Sequence, residues 1–311
     1  MFDTINFKIT QVEAGGVDFL EELPCYLDNV GEHLYNGVTF ISGDLKGLKV
    51  TANSFQVRVK DGSLCKFALG DNLKTMGRKD TQRAIELLSD TLHLPMGKAV
   101  VTRLDIAQNF IVKHPVSVYL NQLGLLKNAV RLMEPDGLYY SQKEGRLCFY
   151  DKVKEQRNHR EPVPELYKGR NVLRYEQRYT GKIASRLGVA EVTGSLLYDE
   201  HFYIKLLNRW KDTYQAIQKI NDLTFNFAAM TTKQELYKMG LMALIERAGG
   251  QLEMIALIND AQKRGDLTKK QAFDFRNLVK EVCKTKEGFA VPNEAIKELD
   301  KKVLEAIRFY R

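Results

Sequence analysis

The sequence has little of what builds disulfide scaffolds or zinc sites. Only four of its 311 residues are cysteine, and Cys25, Cys65, Cys148 and Cys283 stand far apart without a Cys-x-x-Cys pair. Scattered cysteines argue against a disulfide framework, a zinc knuckle and a dithiol redox motif. The pattern is typical of reduced thiols with a structural role.

Long apolar runs and nucleotide-binding motifs are also missing. No stretch approaches the roughly 18 apolar residues that a membrane span needs, and the opening segment MFDTINFKIT lacks the basic-then-apolar order of a signal peptide. The patterns Gly-x-Gly-x-x-Gly, Walker A and Gly-x-Ser-x-Gly do not occur, so nucleotide hydrolysis and serine chemistry have no support. We therefore expect a cytoplasmic protein without a membrane partner.

What the sequence does have is an excess of positive charge. Lysine and arginine number 47 against 39 aspartates and glutamates, which gives a net charge of +8 and an isoelectric point of about 9.1. A basic chain of this kind suits a polyanionic partner such as DNA, because phosphate contacts release counterions. The same excess would also serve solubility alone, so charge by itself does not decide the function.

Composition and patterning predict a folded α+β protein. Hydrophobic residues make up 44% and charged residues 28% of the chain, as in globular proteins. We predict an α+β domain of residues 1–196, with a central, largely antiparallel sheet and packed helices, and a helical domain of residues 197–311. Strands are predicted at 48–59, 63–69, 99–112, 137–141, 145–153 and 171–179, and helices at 79–94 and 115–132.

Three predicted strands carry ionisable residues at alternating positions. Side chains alternate across a strand, so residues two apart share a face. In TRLDIAQNF, residues 102–110, Arg103 and Asp105 therefore face outward while Leu104 and Ile106 face a core. The matching sets in the other two strands are Arg146, Cys148, Tyr150 and Lys152, and Arg174, Glu176 and Arg178. If these strands are neighbours, one sheet face gathers carboxylates, arginines and a tyrosine.

This polar face has two interpretations. Asp105 and Glu176 can hold a hard divalent cation such as Mg²⁺, which polarises a phosphate oxygen. Tyr150 can then act as a nucleophile if a nearby cation such as Lys152 favours its phenolate. Alternatively, each carboxylate forms an ion pair with the arginine two residues before it, on a solvated sheet face. Repetition over three strands favours the first interpretation.

The polar strands are similar, in order and spacing, to those of a known family. The resemblance rests on three segments within residues 60–195, which are VVTRLDIAQNF, GRLCFYDKVKE and NVLRYEQRYTGKIASRLGV. They resemble the gene II replication protein of filamentous phages and related phage and plasmid rolling-circle replication initiators. The resemblance implies an HUH-endonuclease-like fold and site-specific nicking of one origin strand. It also implies a 5′ phosphotyrosine link and a free 3′ hydroxyl that primes replication.

The resemblance also implies roles for individual residues. Position by position, it makes Tyr150 the nucleophile, with Lys152 beside it, and makes Asp105 and Glu176 the ligands of Mg²⁺ or Mn²⁺. The DNA phosphates would be met by Arg103, Arg146, Arg174 and Arg178.

Two points of this comparison stay open. Related initiators also carry a tyrosine in the strand just upstream, where GLYYS offers Tyr139 and Tyr140 as alternative nucleophiles. The His-hydrophobic-His metal motif of other rolling-circle nickases is missing, because no two of the five histidines stand at that spacing.

The expected partner is origin DNA, single-stranded or supercoiled. A helicase encoded by the host or the element would act with it, because the chain has no nucleotide-hydrolysis motif of its own, and a homodimer stays open. The alternative functions are a conjugative relaxase with the same chemistry and a non-catalytic DNA-binding regulator. A tyrosine recombinase fits less well, since its catalytic core is mostly helical and its nucleophile comes late in the chain.

Overall fold

One large β-sheet forms the framework of the fold. The computed structural model describes residues 1–71, 76–220, 222–223, 232–284, 290–291 and 293–311. The sheet contains β1 (Phe2–Thr10), β2 (Asp28–Tyr35), β3 (Val38–Leu45), β4 (Leu48–Ala52), β5 (Gln56–Lys60), β6 (Val100–Val112), β7 (Val130–Glu134), β8 (Gly137–Gln142), β9 (Gly145–Asp151) and β10 (Asn171–Tyr179). A separate two-stranded ribbon pairs β11 (Asp222–Leu223) with β12 (Ala290–Val291).

Helices cover parts of the sheet and continue beyond it. They are α1 (Phe19–Glu22), α2 (Leu64–Leu69), α3 (Arg78–Leu92), α4 (Val116–Gln122), α5 (Lys152–Asn158), α6 (Ile183–Leu187), α7 (Glu200–Gln215), α8 (Lys233–Arg247), α9 (Gln251–Arg264), α10 (Lys269–Lys284) and α11 (Glu294–Tyr310). Among the described residues, no helix combines the length and the apolar character needed to cross a membrane.

The ten strands lie in the order β2-β3-β4-β5-β1-β6-β10-β9-β8-β7, and every neighbouring pair is antiparallel. This confirms the predicted α+β class, with an antiparallel sheet and a helical C-terminal region. β10 lies between β6 and β9, so the three strands with ionisable residues are neighbours. Helix α3 also agrees with the helix predicted at 79–94.

The first 45 residues contribute three strands where no element is predicted. β1 enters the middle of the sheet, between β5 and β6. Its residues Phe2, Ile5, Phe7 and Ile9 are buried, because the strand has neighbours on both sides and a core beneath it. The polar strand β6 therefore pairs with the first strand of the chain, from which it is distant in sequence.

The predicted strand at 63–69 is wrong, because these residues form helix α2. Ser63 caps the helix by accepting a hydrogen bond from the Lys66 backbone N–H, and Gly70 ends it in the left-handed region at φ 82°. The strand predicted at 48–59 is also wrong in part, because these residues form a hairpin of two strands, β4 and β5. There the Asn53 side chain accepts from the backbone N–H groups of Phe55 and Gln56 and stabilises the turn.

The predicted helix at 115–132 is too long. Helix α4 ends at Gln122, and the chain then runs extended so that the Gly124 N–H donates to the Gln218 carbonyl at 2.8 Å. Residues 130–134 form the edge strand β7, paired with β8. The segment predicted as one helix thus divides into a short helix, an extended connection and a strand, and tertiary pairing overrides the local pattern.

The predicted strand at 145–153 is also too long at its end. Asp151 accepts hydrogen bonds from the backbone N–H groups of Val153 and Lys154, which is how an N-cap residue begins a helix. Lys152 is therefore the first residue of α5 and does not continue the alternation of β9.

One aromatic core holds the sheet to the helices that follow it. Tyr175 of β10 stacks on Phe149 of β9 and on Trp210 of α7, with both centroid distances at 4.5 Å. Helix α11 adds Leu299 to the same core, whereas α8, α9 and α10 bury a smaller cluster around Ile245. The division into domains at residues 196 and 197 stays a prediction, and the main core extends past it.

Replacing Trp210 tests how strongly α7 is bound to the sheet. We expect Trp210→Ala to lower the free energy of unfolding by about 3–5 kcal/mol, because a large buried ring leaves a cavity. Denaturant titration would measure this loss. Phe309→Ala is the control, because Phe309 is 81% exposed, and its effect should stay within about 0.5 kcal/mol. Equal effects of the two substitutions would contradict the packing described for α7.

Candidate active site

Register places the predicted site residues together on one face of the sheet. On β10, Arg174 lies opposite Asn109 of β6 and Tyr150 of β9. Arg178 lies opposite Asp105 on one side and Arg146 on the other. Residues opposite each other in an antiparallel pair point to the same face. Three strands therefore present Asp105, Tyr150 and Glu176 to a common space, and the aromatic core lies on the other face.

The carboxylates of the polar face are buried, whereas Asp105 is predicted to face outward and the ion-pair interpretation places both carboxylates on a solvated face. Asp105 is 1% and Glu176 is 3% exposed. One end of the face is covered by α5 and the segment after it, where Val153, Tyr167 and Val172 form a small apolar cluster. Charged groups in such a position need partners, because burial of an unpaired charge is costly.

Arg174 is the central cation of this face. Its guanidinium donates to the Asn109 amide oxygen at 3.0 Å and to Glu176 Oε2 at 3.4 Å. A third contact reaches the carboxylate of Asp3 on β1. The side chain is 1% exposed, so its charge is balanced inside the protein. Three strands are thereby linked through one guanidinium.

Glu176 connects the arginines to the tyrosine. The Tyr150 hydroxyl donates to Glu176 Oε2 at 3.1 Å, and Arg178 Nε donates to Oε1 at 2.5 Å. Burial acts to raise the pKa of Glu176, but the charges of Arg174 and Arg178 outweigh it and hold the pKa below its ordinary value. Glu176 is therefore a carboxylate that accepts a hydrogen bond from Tyr150.

Asp105 has a different environment. Arg103 donates to both of its carboxylate oxygens, with distances of 3.1 Å and 2.6 Å, and Arg178 Nε lies 4.0 Å from Oδ2. Burial, reinforced by the charge of Glu176, raises the pKa of Asp105 despite the opposing effect of Arg103. The two carboxylates thus share Arg178 and titrate as interacting groups.

The two carboxylates do not fit a divalent cation in this arrangement. Both oxygens of Asp105 accept from Arg103, and both oxygens of Glu176 accept from Tyr150 or an arginine. Mg²⁺ commonly takes one or two carboxylates and completes its six oxygen ligands with water, but here guanidinium groups stand where the cation would approach these carboxylates. No group of three or more His, Cys, Asp or Glu side chains suited to a metal occurs within the described ranges.

A small cleft gives access to Tyr150. It has a volume of about 260 Å³, and Tyr139, Tyr150, Glu155, His159 and Arg178 are among the residues that line it. Gly137 faces Tyr150 across β8 and β9. A Cβ atom at Gly137 would lie 2.7 Å from the Phe149 carbonyl oxygen, so only glycine allows this close approach.

The two alternative nucleophiles, Tyr139 and Tyr140, lie on opposite faces of the sheet. Tyr139 lines the cleft, and the guanidinium of Arg146 lies 4.2 Å from its ring centroid. Tyr140 points to the opposite face, is fully buried, and donates to the Gly124 carbonyl oxygen at 2.6 Å. The structure therefore brings Tyr139 together with Tyr150 and separates Tyr140 from both.

The predicted cations also differ in access. Arg103, Arg146 and Arg178 have side chains that are 30%, 38% and 31% exposed, so they can reach a bound phosphate. Arg174 is enclosed, and Lys152 is 2% exposed with its ammonium 2.7 Å from Glu155 Oε2. In this arrangement Arg174 and Lys152 hold other protein groups, and their predicted contacts to Tyr150 or DNA stay predictions.

Asp3 is a site residue that sequence reasoning missed. Its carboxylate accepts from Arg174 and also from the Ser63 hydroxyl at 2.5 Å. The available signal was an acid at position 3, between the buried residues Phe2 and Ile5, which is the same pattern that singles out Asp105. Because β1 is not predicted as a strand, alternation cannot be used to place Asp3 on a face of the sheet.

Comparison with known protein families identifies the family of this chain. A family model for the N-terminal part of a phage replication-associated protein matches residues 1–212, which include every strand of the large sheet. The chain belongs to this family. The match confirms the resemblance to the gene II-like initiators of filamentous phages. No curated protein matches the chain.

Membership identifies a phage replication-associated protein and implies that its partner is DNA. The matched residues of this replication-associated protein extend through most of α7. They include all the residues around Tyr150 and Glu176 and leave α8–α11 outside. The candidate site therefore lies within the part of the chain that the family model matches.

Removing the central guanidinium should destabilise the replication-associated protein. We expect Arg174→Met to cost about 3–5 kcal/mol of unfolding free energy, since Glu176 and Asp3 then lose their buried partner. The double variant Arg174→Met with Glu176→Leu should cost less than the sum of the two single changes. Urea titration of the three variants measures this coupling. Strict additivity would show that Arg174 and Glu176 do not depend on each other.

Proposed function

We propose that this chain initiates rolling-circle replication of a phage by nicking and rejoining one origin strand through Tyr150. The observation that carries the proposal is the hydrogen bond from the Tyr150 hydroxyl to Glu176 Oε2 at 3.1 Å, beside a cleft bordered by Arg178. In covalent catalysis the nucleophile is usually hydrogen-bonded to a base, and a third group holds that base in position. Family membership supports replication as the process that uses it.

In the proposed step, the Tyr150 oxygen attacks the scissile phosphorus. A bond forms between the phenolic oxygen and phosphorus, and the bond from phosphorus to the 3′ oxygen breaks. The phenolic proton passes to Glu176, the leaving 3′ oxygen takes a proton from solvent water to become a free hydroxyl, and Glu176 returns its proton to solvent. The number of phosphoester bonds is unchanged, so the 3′ hydroxyl can attack the phosphotyrosine in reverse and rejoin the strand.

Burial keeps the nucleophile protonated until substrate binds. It raises the pKa of Tyr150 well above its ordinary value, so a phenolate is not present in the resting protein. Glu176 is a weak base because the charges of Arg174 and Arg178 lower its pKa despite its burial, and Arg178 also holds its Oε1 oxygen. A DNA phosphate that competes for Arg178 would release this oxygen and increase the basicity of Glu176. Proton transfer would then depend on a phosphate in the cleft.

Arginine side chains supply the positive charge that the transferring phosphoryl group needs. Arg178 lines the cleft, and Arg103 and Arg146 lie at the exposed side of the polar face. Fixed cations around the phosphoryl oxygens stabilise charge that develops in the transition state. This supports phosphate-binding roles for Arg103, Arg146 and Arg178, while Arg174 positions Glu176.

Dependence on Mg²⁺ or Mn²⁺ stays a prediction from the family resemblance. Its proposed ligands are Asp105 and Glu176, and their contacts with Arg103 and Arg178 argue against it in this arrangement. The proposed step therefore relies on side chains of the protein. A conjugative relaxase would share the same chemistry, and a DNA-binding regulator would share the sheet without the reaction.

Substitution of the nucleophile tests the proposal directly. With a supercoiled or single-stranded origin substrate, we expect Tyr150→Phe to lower covalent adduct formation by at least roughly 10³-fold, because the attacking oxygen is missing. Denaturing gels measure the adduct. Tyr139→Phe and Tyr140→Phe are the matched controls and should keep it. An adduct that survives in Tyr150→Phe would exclude this nucleophile, and wild-type DNA binding without any adduct would favour the regulator.

Chelation and carboxylate substitution test the metal prediction. If Asp105 and Glu176 hold a metal, EDTA abolishes nicking, and Mg²⁺ or Mn²⁺ restores it. Asp105→Ala and Glu176→Ala should then lose nicking while DNA binding is kept. Nicking that persists in EDTA, together with unfolding of the alanine variants, would assign these carboxylates to the buried ion pairs. Circular dichroism of each variant separates loss of folding from loss of activity.

A further inference from the structure

The outer side of α7 carries basic side chains that take no part in the site around Tyr150. His201, Lys205 and Arg209 are all exposed and follow one another at intervals of four residues. Residues at this spacing lie on the same side of a helix. Leu206 and Trp210, on the opposite side, are buried in the core. The three basic residues therefore form a line along the helix, facing solvent.

This line borders a groove of about 750 Å³, which we call the α7 groove. It is lined by Leu126, Gln142, His201, Ile204, Lys205, Asn208, Arg209, Asp212, Thr213 and Ala216. Asp212, the acid in this set, lies 3.0 Å from the ammonium of Lys211. Within the part of the chain that the structure describes, Lys205 and Arg209 form no ion pair with a carboxylate. Their charges are therefore not neutralised by a carboxylate, and Arg209 lies beside the hydroxyl of Tyr179.

We propose that the α7 groove binds the phosphate backbone of duplex DNA that flanks the nick. This rests on the proposed function, because an initiator must hold the origin while one strand is opened. Four residues of helix advance by about 6 Å, so Lys205 and Arg209 can meet nearby phosphates of one strand. The side-chain amide N–H groups of Asn208, whose oxygen accepts from Arg311, add neutral hydrogen-bond donors of the kind that contact phosphate oxygens.

The lining of the groove favours duplex over single-stranded DNA. Proteins that hold unpaired strands stack the bases on aromatic rings, and the set of residues that lines the α7 groove contains no Phe, Tyr or Trp. The cleft at Tyr150 differs, because Tyr139 and Tyr150 both line it. The two surfaces thus suit two parts of one substrate, an opened strand at the cleft and paired DNA at the groove.

The groove and the cleft also lie on opposite sides of the sheet. Trp210 of α7 stacks on Tyr175, whose neighbours Arg174 and Glu176 point to the other face. A helix and a strand layer together separate the two surfaces by on the order of 15–20 Å. DNA must pass around an edge of the sheet to reach both surfaces, so at about 3.4 Å per base pair the contacted duplex lies at least roughly five base pairs from the nick. A strand seated at Tyr150 therefore does not occupy the α7 groove.

Neutralisation of the two cations tests this inference. We expect Lys205→Gln with Arg209→Gln to weaken binding of a short mixed-sequence duplex. The slope of log Kd against log salt concentration should fall by about 2, roughly one for each lost phosphate contact. Adduct formation on a single-stranded origin oligonucleotide should be unchanged, because Tyr150 and Glu176 are untouched. Fluorescence anisotropy at several salt concentrations measures the slope.

A matched control separates the groove from general charge. Lys297 and Lys301 stand four residues apart on α11 and pair with Glu294 and Glu305. Lys297→Gln with Lys301→Gln removes the same charge and should leave the slope unchanged. An equal fall in this control, an unaltered slope in the groove variant, or a loss confined to a single-stranded probe would overturn the inference. A wild-type protein that forms no adduct would instead refute the proposed function.

Discussion

The guanidinium of Arg174 is the group on which the rest of the polar face depends. It lies almost fully enclosed and contacts Asn109 of β6, Glu176 of β10 and Asp3 of β1. A buried charge is tolerated only with well-placed partners, so these strands must meet in one register. The pairing of β9 with β10 then sets Tyr150 opposite Arg174 and beside Glu176. The buried charge of Arg174 and the position of the proposed nucleophile therefore both depend on the placement of β10.

The sheet separates two kinds of packing. One face carries stacked aromatic rings from β9, β10 and α7, and the other carries three arginines paired with three carboxylates. The aromatic face provides the apolar burial that stabilises the fold. Its rigidity holds the charged groups of the other face at fixed positions, which is what electrostatic stabilisation of a reacting phosphate requires.

Charge balance also explains why carboxylates alone do not indicate a metal site. Asp105 and Glu176 are close enough to share Arg178, as two metal ligands would be. Their oxygens are nevertheless engaged by guanidinium groups from the same strands. Arginine two residues away on a strand always shares the face of the carboxylate. The spacing that brings ligands together therefore also brings the cations that compete for them.

The sequence alone determined the class of the fold, the three polar strands, and which ionisable residues share a face within each strand. These follow from alternation, a local property that needs no knowledge of distant residues. Tertiary structure decided the burial of the polar face, the place of Asp3, the end of β9 before Lys152, and the separation of Tyr140 from Tyr139. It did so because burial and partners depend on which distant segments pair, and β1 meets β6 only after about a hundred residues of chain.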